Sequence, residues 1–157
     1  MLKYHNTMVV FEEIPNEITL AINITNCPCK CPGCHSKFLW GDTGHELNTQ
    51  VLTQLARAND GITCICFMGG DANPGEINDL GNFTKEQLNL KAAWYSGMDD
   101  MNHSIVIQNF SYIKLGHYDE KYGPLNKEST NQRLYKIQGS DLVDITHKFW
   151  KKALPFV

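Results

Sequence analysis

The stretch Asn26-Cys27-Pro28-Cys29-Lys30-Cys31-Pro32-Gly33-Cys34-His35 constrains this chain more than any other. It crowds four of the six cysteines into one short loop, directly after an apolar run that alternates at period two. Three of them, Cys27, Cys31 and Cys34, are spaced C-x3-C-x2-C. The first residues, Met1-Leu2-Lys3-Tyr4-His5-Asn6, lack the apolar core of a leader, so the chain is expected in the cytoplasm, where disulfides rarely persist. Six cysteines in such a chain read as metal or redox ligands and not as a disulfide framework.

Thiolates are the usual ligands of [4Fe–4S] clusters, which ordinarily take four of them. A loop offering three would leave one iron open to a small molecule. A closed zinc site is the alternative, and it needs four ligands. Cys64 and Cys66 are the remaining candidates for a zinc set. Two residues apart on a strand, they stand about 7 Å from each other on one face. Two sulfurs on one zinc lie within about 4 Å, so the pair suits core packing better than chelation. Cys29, between two of the proposed ligands, is either a spectator or a fourth ligand.

The rest of the chain reads as alternating strands and helices. Val9, Val10 and Phe11 suggest a leading strand, and residues 18–24 a second, by alternation. A helix is expected over 47–59, with Asn48 as N-cap, a Val51, Leu52 and Leu55 stripe, and Leu47 stapled to Leu52. The run 62–68 is almost wholly apolar, as in a strand buried on both faces. It leads into Gly69-Gly70-Asp71. A helix over 84–90 and strands over 92–96, 105–107, 112–115 and 133–137 follow, with a closing helix over 144–152. Trp94, Tyr95 and Phe149 read as core. This order predicts an α/β fold with a mostly parallel sheet in a single domain spanning 1–157, with ligands at the carboxyl ends of its strands. The cysteine loop and Gly69-Gly70-Asp71 would share that edge.

In these residues the chain resembles the radical S-adenosylmethionine (SAM) superfamily, whose signature is a C-x3-C-x2-C loop after the first strand. The superfamily usually carries an aromatic residue just before the last cysteine. Here Gly33 stands there, and His35 follows Cys34. That pattern resembles one branch, the activating proteins of anaerobic ribonucleotide reductase. Asn6-Thr7, Phe11, Phe38-Leu39-Trp40, Met68-Gly69-Gly70-Asp71, Gly123-Pro124-Leu125 and Thr130-Asn131-Gln132-Arg133 extend the likeness over nearly the whole chain.

The resemblance implies a trimmed, partial (βα) barrel. It implies that Cys27, Cys31 and Cys34 hold a [4Fe–4S] cluster and that SAM chelates the open iron. Gly69, Gly70 and Asp71 would bind the methionyl end of SAM, and the backbone around Gly33, Cys34 and His35 would contact it. A glycine pair after a buried strand allows close backbone approach, and an acid there can accept from an ammonium group. Ser96 is either a ribose contact or a plain strand-end hydroxyl. His35 is either a cofactor contact or a ring packed on Trp40, and Arg133 either pairs with an acid or with the partner or, by default, faces solvent. No side chain is assigned as catalytic.

The implied partners are the large subunit of anaerobic ribonucleoside-triphosphate reductase and a reduced flavodoxin-like electron donor. A formal charge of −3 gives no reason to expect nucleic acid or an anionic membrane. Two other readings stay open. One is a radical SAM enzyme acting on another glycyl radical protein or a small molecule. The other is a non-catalytic iron–sulfur or zinc module.

Overall fold

Parallel pairing of four short apolar strands organises the molecule. In the computed structural model, which describes residues 1–150, the elements run β1 (Leu2–Val10), β2 (Thr19–Ile24), β3 (His45–Leu47), α1 (Thr49–Ala58), β4 (Cys64–Met68), α2 (Pro74–Glu86), β5 (Lys91–Tyr95), β6 (Tyr112–Leu115), β7 (Arg133–Gln138) and β8 (Asp141–Asp144). All eight strands form one sheet in the order β3-β1-β2-β4-β5-β6-β7-β8. The central strands β2, β4, β5 and β6 are mutually parallel. Both margins are antiparallel. The fold is therefore α/β, and its sheet is mixed, parallel only in the centre.

Side-chain alternation sorts the central strands onto two faces. Ile22, Phe67, Trp94 and Ile113 lie in one register row. They pack with Leu52 of α1 and with Ile77 and Leu80 of α2 in the larger core. The opposite face carries Cys64, Cys66, Ala93, Tyr112 and Leu134, covered by Ile14, Ile145 and Phe149. Cys64 and Cys66 are fully buried, so the expectation of core thiols holds. Burial pushes the Cys64 thiol up to about 12, and burial also raises that of Cys66.

Helix α1 starts where its cap dictates. The Asn48 side chain accepts from Val51 N at 2.9 Å, and Leu47 and Leu52 both reach the larger core. Helix α2 differs from expectation. It begins ten residues before Thr84, at the Asn73-Pro74 cap, where Asn73 Oδ1 accepts from Glu76 N at 3.3 Å. Gly75 and Gly81 weaken its helical signal. Gly81 is nonetheless apt, because a Cβ there would fall 2.6 Å from the Phe110 ring. The helix ends at Glu86, so the expected helix over 84–90 is only its last turn.

Other boundaries also moved. Strand β1 extends back to Leu2, and Phe11 lies just past it. Residues 105–107 form no strand. Ile105 is buried, Val106 N donates to Asn78 Oδ1 at 2.8 Å, and a 3-10 turn starts at Ile107. In place of a closing helix, Asp141–Asp144 returns as β8 through a turn at Gly139, whose φ is +63°. One 3-10 turn, Thr146–Phe149, follows, and Lys151 and Lys152 lie outside the described residues. Among the described residues no helix is long and apolar enough to cross a membrane.

Glu17 closes the amino edge of the parallel strands. Its carboxylate is buried and accepts from Thr63 Oγ1, Lys91 Nζ and Tyr112 Oη, each at 2.7 Å. Burial pushes this carboxyl up, but the hydrogen bonds from Lys91, Thr63 and Tyr112 outweigh it and hold the group below its ordinary value. Its folded value therefore lies under its unfolded one. The stability it adds is fully present above the unfolded carboxylate value and is lost as pH falls through the folded one. Glu17→Gln should cost about 1–3 kcal/mol at neutral pH. Urea unfolding from pH 7 to pH 3 should show the gap to the parent protein narrowing as the solution is acidified.

Candidate functional site

Because β2, β4, β5 and β6 run the same way, their carboxyl ends meet along one edge. Four loops leave that edge: the cysteine loop after β2, Gly69-Gly70-Asp71 after β4, Ser96-Gly97 after β5 and Gly116-His117 after β6. The sequence-predicted shared edge is thus observed for the first two. At the third, the sequence marks Ser96 as a candidate contact, and nothing in the sequence marks Gly116-His117.

The cysteine loop is pinned at its ends. Asn26 leaves β2 with a φ of +60° and donates its N–H to Gly41 O at 2.9 Å. Cys27 N donates to Leu39 O at 3.0 Å. Inside the loop, Lys30 and Gly33 also take positive φ, and Cys34 N donates to Cys31 O at 3.1 Å. The Cys34 sulfur accepts from Ser36 N at 3.3 Å. All four loop cysteines are half-buried free thiols. Gly33 takes φ +74°, and a Cβ there would displace the exposed Glu120 carboxylate. His35 stacks against Tyr118, with ring centroids 5.7 Å apart, and not on Trp40. The segment after β6 therefore covers the loop.

Gly69 and Gly70 both have φ near +100°, at +108° and +92°. Trp94 Nε1 donates to Gly69 O at 2.7 Å, and Gly69 N donates to Tyr95 O at 3.0 Å. These bonds fix the turn onto β5. Asp71 is turned toward the same strand. Its Oδ1 accepts from Ser96 Oγ, and its Oδ2 accepts from Gly97 N at 2.9 Å and from Cys29 Sγ at 3.8 Å. Ser96 is thus a strand-end hydroxyl tied to Asp71. Beside it lies a cavity of about 310 Å³ lined by Asp71, Trp94, Ser96, Met98, Met101 and His103.

Lys114 is the buried cation of this edge. Its Nζ donates to Gly116 O at 2.9 Å and to Gln132 Oε1 at 3.0 Å, and it lies 5.6 Å from the Tyr95 ring centroid. Burial pushes it down to about 8, against the pull of Asp71, Cys29, Cys31 and Cys66. Arg133 pairs with Asp144 at 3.6 Å across the last hairpin.

The donor set suits a thiophilic metal in kind. The adjoining Cys29 thiol, against burial and together with the N–H groups of Cys29 and Lys30, lowers the Cys27 thiol to about 6. Thiolate is the form that ligates metal. Cys29 itself is shifted upward, first by its closeness to Cys27 and then by burial. Among the described residues, no three or more His, Cys, Asp or Glu side chains converge closely enough to hold a metal ion. The loop carries one backbone bond between Cys27 and Cys34. In donor chemistry its residues fit a cluster, although their sulfurs are not gathered on one centre.

Comparison with known proteins adds no relative: no protein-family model, no curated protein and no solved structure matches this chain. The glycine turn gives a direct test of the edge. Gly70→Ala must place its Cβ 2.5 Å from Ile77 Cδ1 at positive φ, whereas Gly61, at φ +87°, has nothing within 4 Å. Both variants bear backbone strain, but only the first adds overpacking, so Gly70→Ala should be the less stable by about 1–3 kcal/mol in urea unfolding.

Proposed function

We propose that this protein is a radical SAM activase of partial-barrel type, generating a glycyl radical on an anaerobic ribonucleotide reductase with electrons from a reduced flavodoxin-like donor. The observation that carries the reading is the contact of Cys29 Sγ with Asp71 Oδ2 at 3.8 Å. It sets the C-x3-C-x2-C loop directly against the Gly-Gly-Asp element at the carboxyl edge of a parallel sheet.

In this reading Cys27, Cys31 and Cys34 hold the cluster, and Gly69, Gly70 and Asp71 form the wall for the methionyl end of SAM. Gly33 and His35 lie on the loop that closes over it. When bound, such a cluster would supply the electron for reductive cleavage of SAM, the chemistry that hydrogen-atom removal from a glycine Cα requires. The chain's own residues bind, orient and exclude water. Lys114, held by Gly116 O and Gln132 Oε1, sets a buried cation at the same sheet edge. On the face opposite the helices lies a groove of about 1050 Å³, whose lining includes Phe11, Glu13, Tyr95, Leu125, Gln132 and Phe149. An open groove of that size suits entry of a partner's loop.

Anaerobic reconstitution tests the proposal. About four irons per chain are expected, with SAM altering the paramagnetic resonance spectrum of the reduced cluster. Cys27→Ala, Cys31→Ala and Cys34→Ala should each abolish iron uptake and SAM cleavage, whereas Cys64→Ala and Cys66→Ala should retain both. One zinc per chain with no response to SAM would overturn the reading. Co-incubation with the reductase large subunit should yield a glycyl radical signal, and its absence alongside SAM cleavage would redirect the activity to another substrate.

A further inference from the structure

Cys29 has no place in a three-thiol ligand set, yet it is the loop cysteine most closely engaged by the sheet. Its sulfur lies 3.8 Å from Asp71 Oδ2. It also occupies the space that a side chain on Gly97 would need. A Cβ on Gly97 would fall 2.6 Å from Cys29 Sγ and 3.3 Å from Cys29 Cβ. Gly97 does not take a left-handed φ, so its backbone alone would accept alanine. What glycine provides at this position is room for the thiol. The same corner receives the Ser96 hydroxyl and the Gly97 N–H on Asp71. Cys29 thus joins the cysteine loop to the ends of β4 and β5 at one point.

We infer that Cys29 is a positioning residue, a latch whose thiol seats in the Asp71–Gly97 corner and sets the height of Cys27, Cys31 and Cys34 over the strand ends. The inference rests on the activase reading for what those three residues hold, but the latch itself is a property of the chain. It assigns Cys29 a role other than ligand, and it assigns Gly97 the role of receptor for its sulfur. A loop of this length has few internal bonds, so a contact to the sheet restricts it more than another bond within the loop would. Serine, with a hydroxyl able to donate to Asp71, should replace the thiol in part. Alanine should not.

Two measurements test this. In the full chain without metal, iodoacetamide labelling is followed residue by residue by peptide mass spectrometry. Cys29 should react about tenfold more slowly than Cys31 and Cys34, since alkylation needs an accessible thiolate. Gly97→Ala should evict the thiol and raise its rate to theirs. Equal rates in the parent chain, or no response to Gly97→Ala, would overturn the latch. In the reconstituted protein, release of iron to a chelator reports on how the loop is held. Cys29→Ala should still take up iron but release it several-fold faster, and Cys29→Ser should restore part of the parent's slower release. Gly97→Ala should speed release in the parent background and add nothing to Cys29→Ala. Loss of iron uptake in both Cys29 variants would make Cys29 a ligand and end the inference, as would unchanged release from Cys29→Ala. If the parent chain itself takes up no iron, the activase reading fails, and the labelling result decides the latch alone.

Discussion

Asp71 is the point on which the carboxyl edge of the sheet depends. One carboxylate accepts from the Ser96 hydroxyl, the Gly97 backbone and the Cys29 thiol, and so ties together the segments that follow β2, β4 and β5. A carboxylate with several donors is held firmly, because charge-assisted bonds are stronger than neutral ones. Gly70 delivers Asp71 to this position. Its positive φ turns the chain at the end of β4, and its missing side chain makes room for Ile77 of α2. The helix, the turn and the cysteine loop are therefore mechanically connected.

The two faces of the sheet divide the work. On one, Ile22, Phe67, Trp94 and Ile113 bury themselves under both helices and supply the apolar core. On the other, the strand interiors are smaller and softer, with Cys64, Cys66 and Ala93, and polar groups gather toward the edges. Glu17 secures the amino edge through Thr63, Lys91 and Tyr112. Lys114 lies buried at the carboxyl edge, bonded to Gly116 and Gln132. Each charge is placed where bonds from the chain offset the loss of water. On open α/β sheets the carboxyl ends of the strands are where ligands bind.

Much of this was legible before the fold. Helix α1 announced itself through Asn48 and a clear apolar stripe, because its cap and its periodicity agree. Strand β4 did so through an unbroken apolar run. Helix α2 did not, because Gly75 and Gly81 depress helix propensity and only packing against Phe110 explains Gly81. Residues 105–107 have strand composition but spend it on Ile105 in the core and a cap on Asn78. The short β8 was hidden because its residues are all exposed and show no burial pattern.

For the site, local sequence alone determined the thiol-rich loop after one strand and the paired glycines with an acid after another. Backbone conformation and donor chemistry are encoded residue by residue, so those features can be read without a fold. Which side chains stand opposite them was decided by the parallel register of β2, β4, β5 and β6. Gly97 and Glu120 are distant along the chain from Cys29 and Gly33, as Tyr118 is from His35, and only strand pairing brings each pair into contact. Contact across a sheet depends on which strands are neighbours and in which direction they run, and no local pattern carries that information.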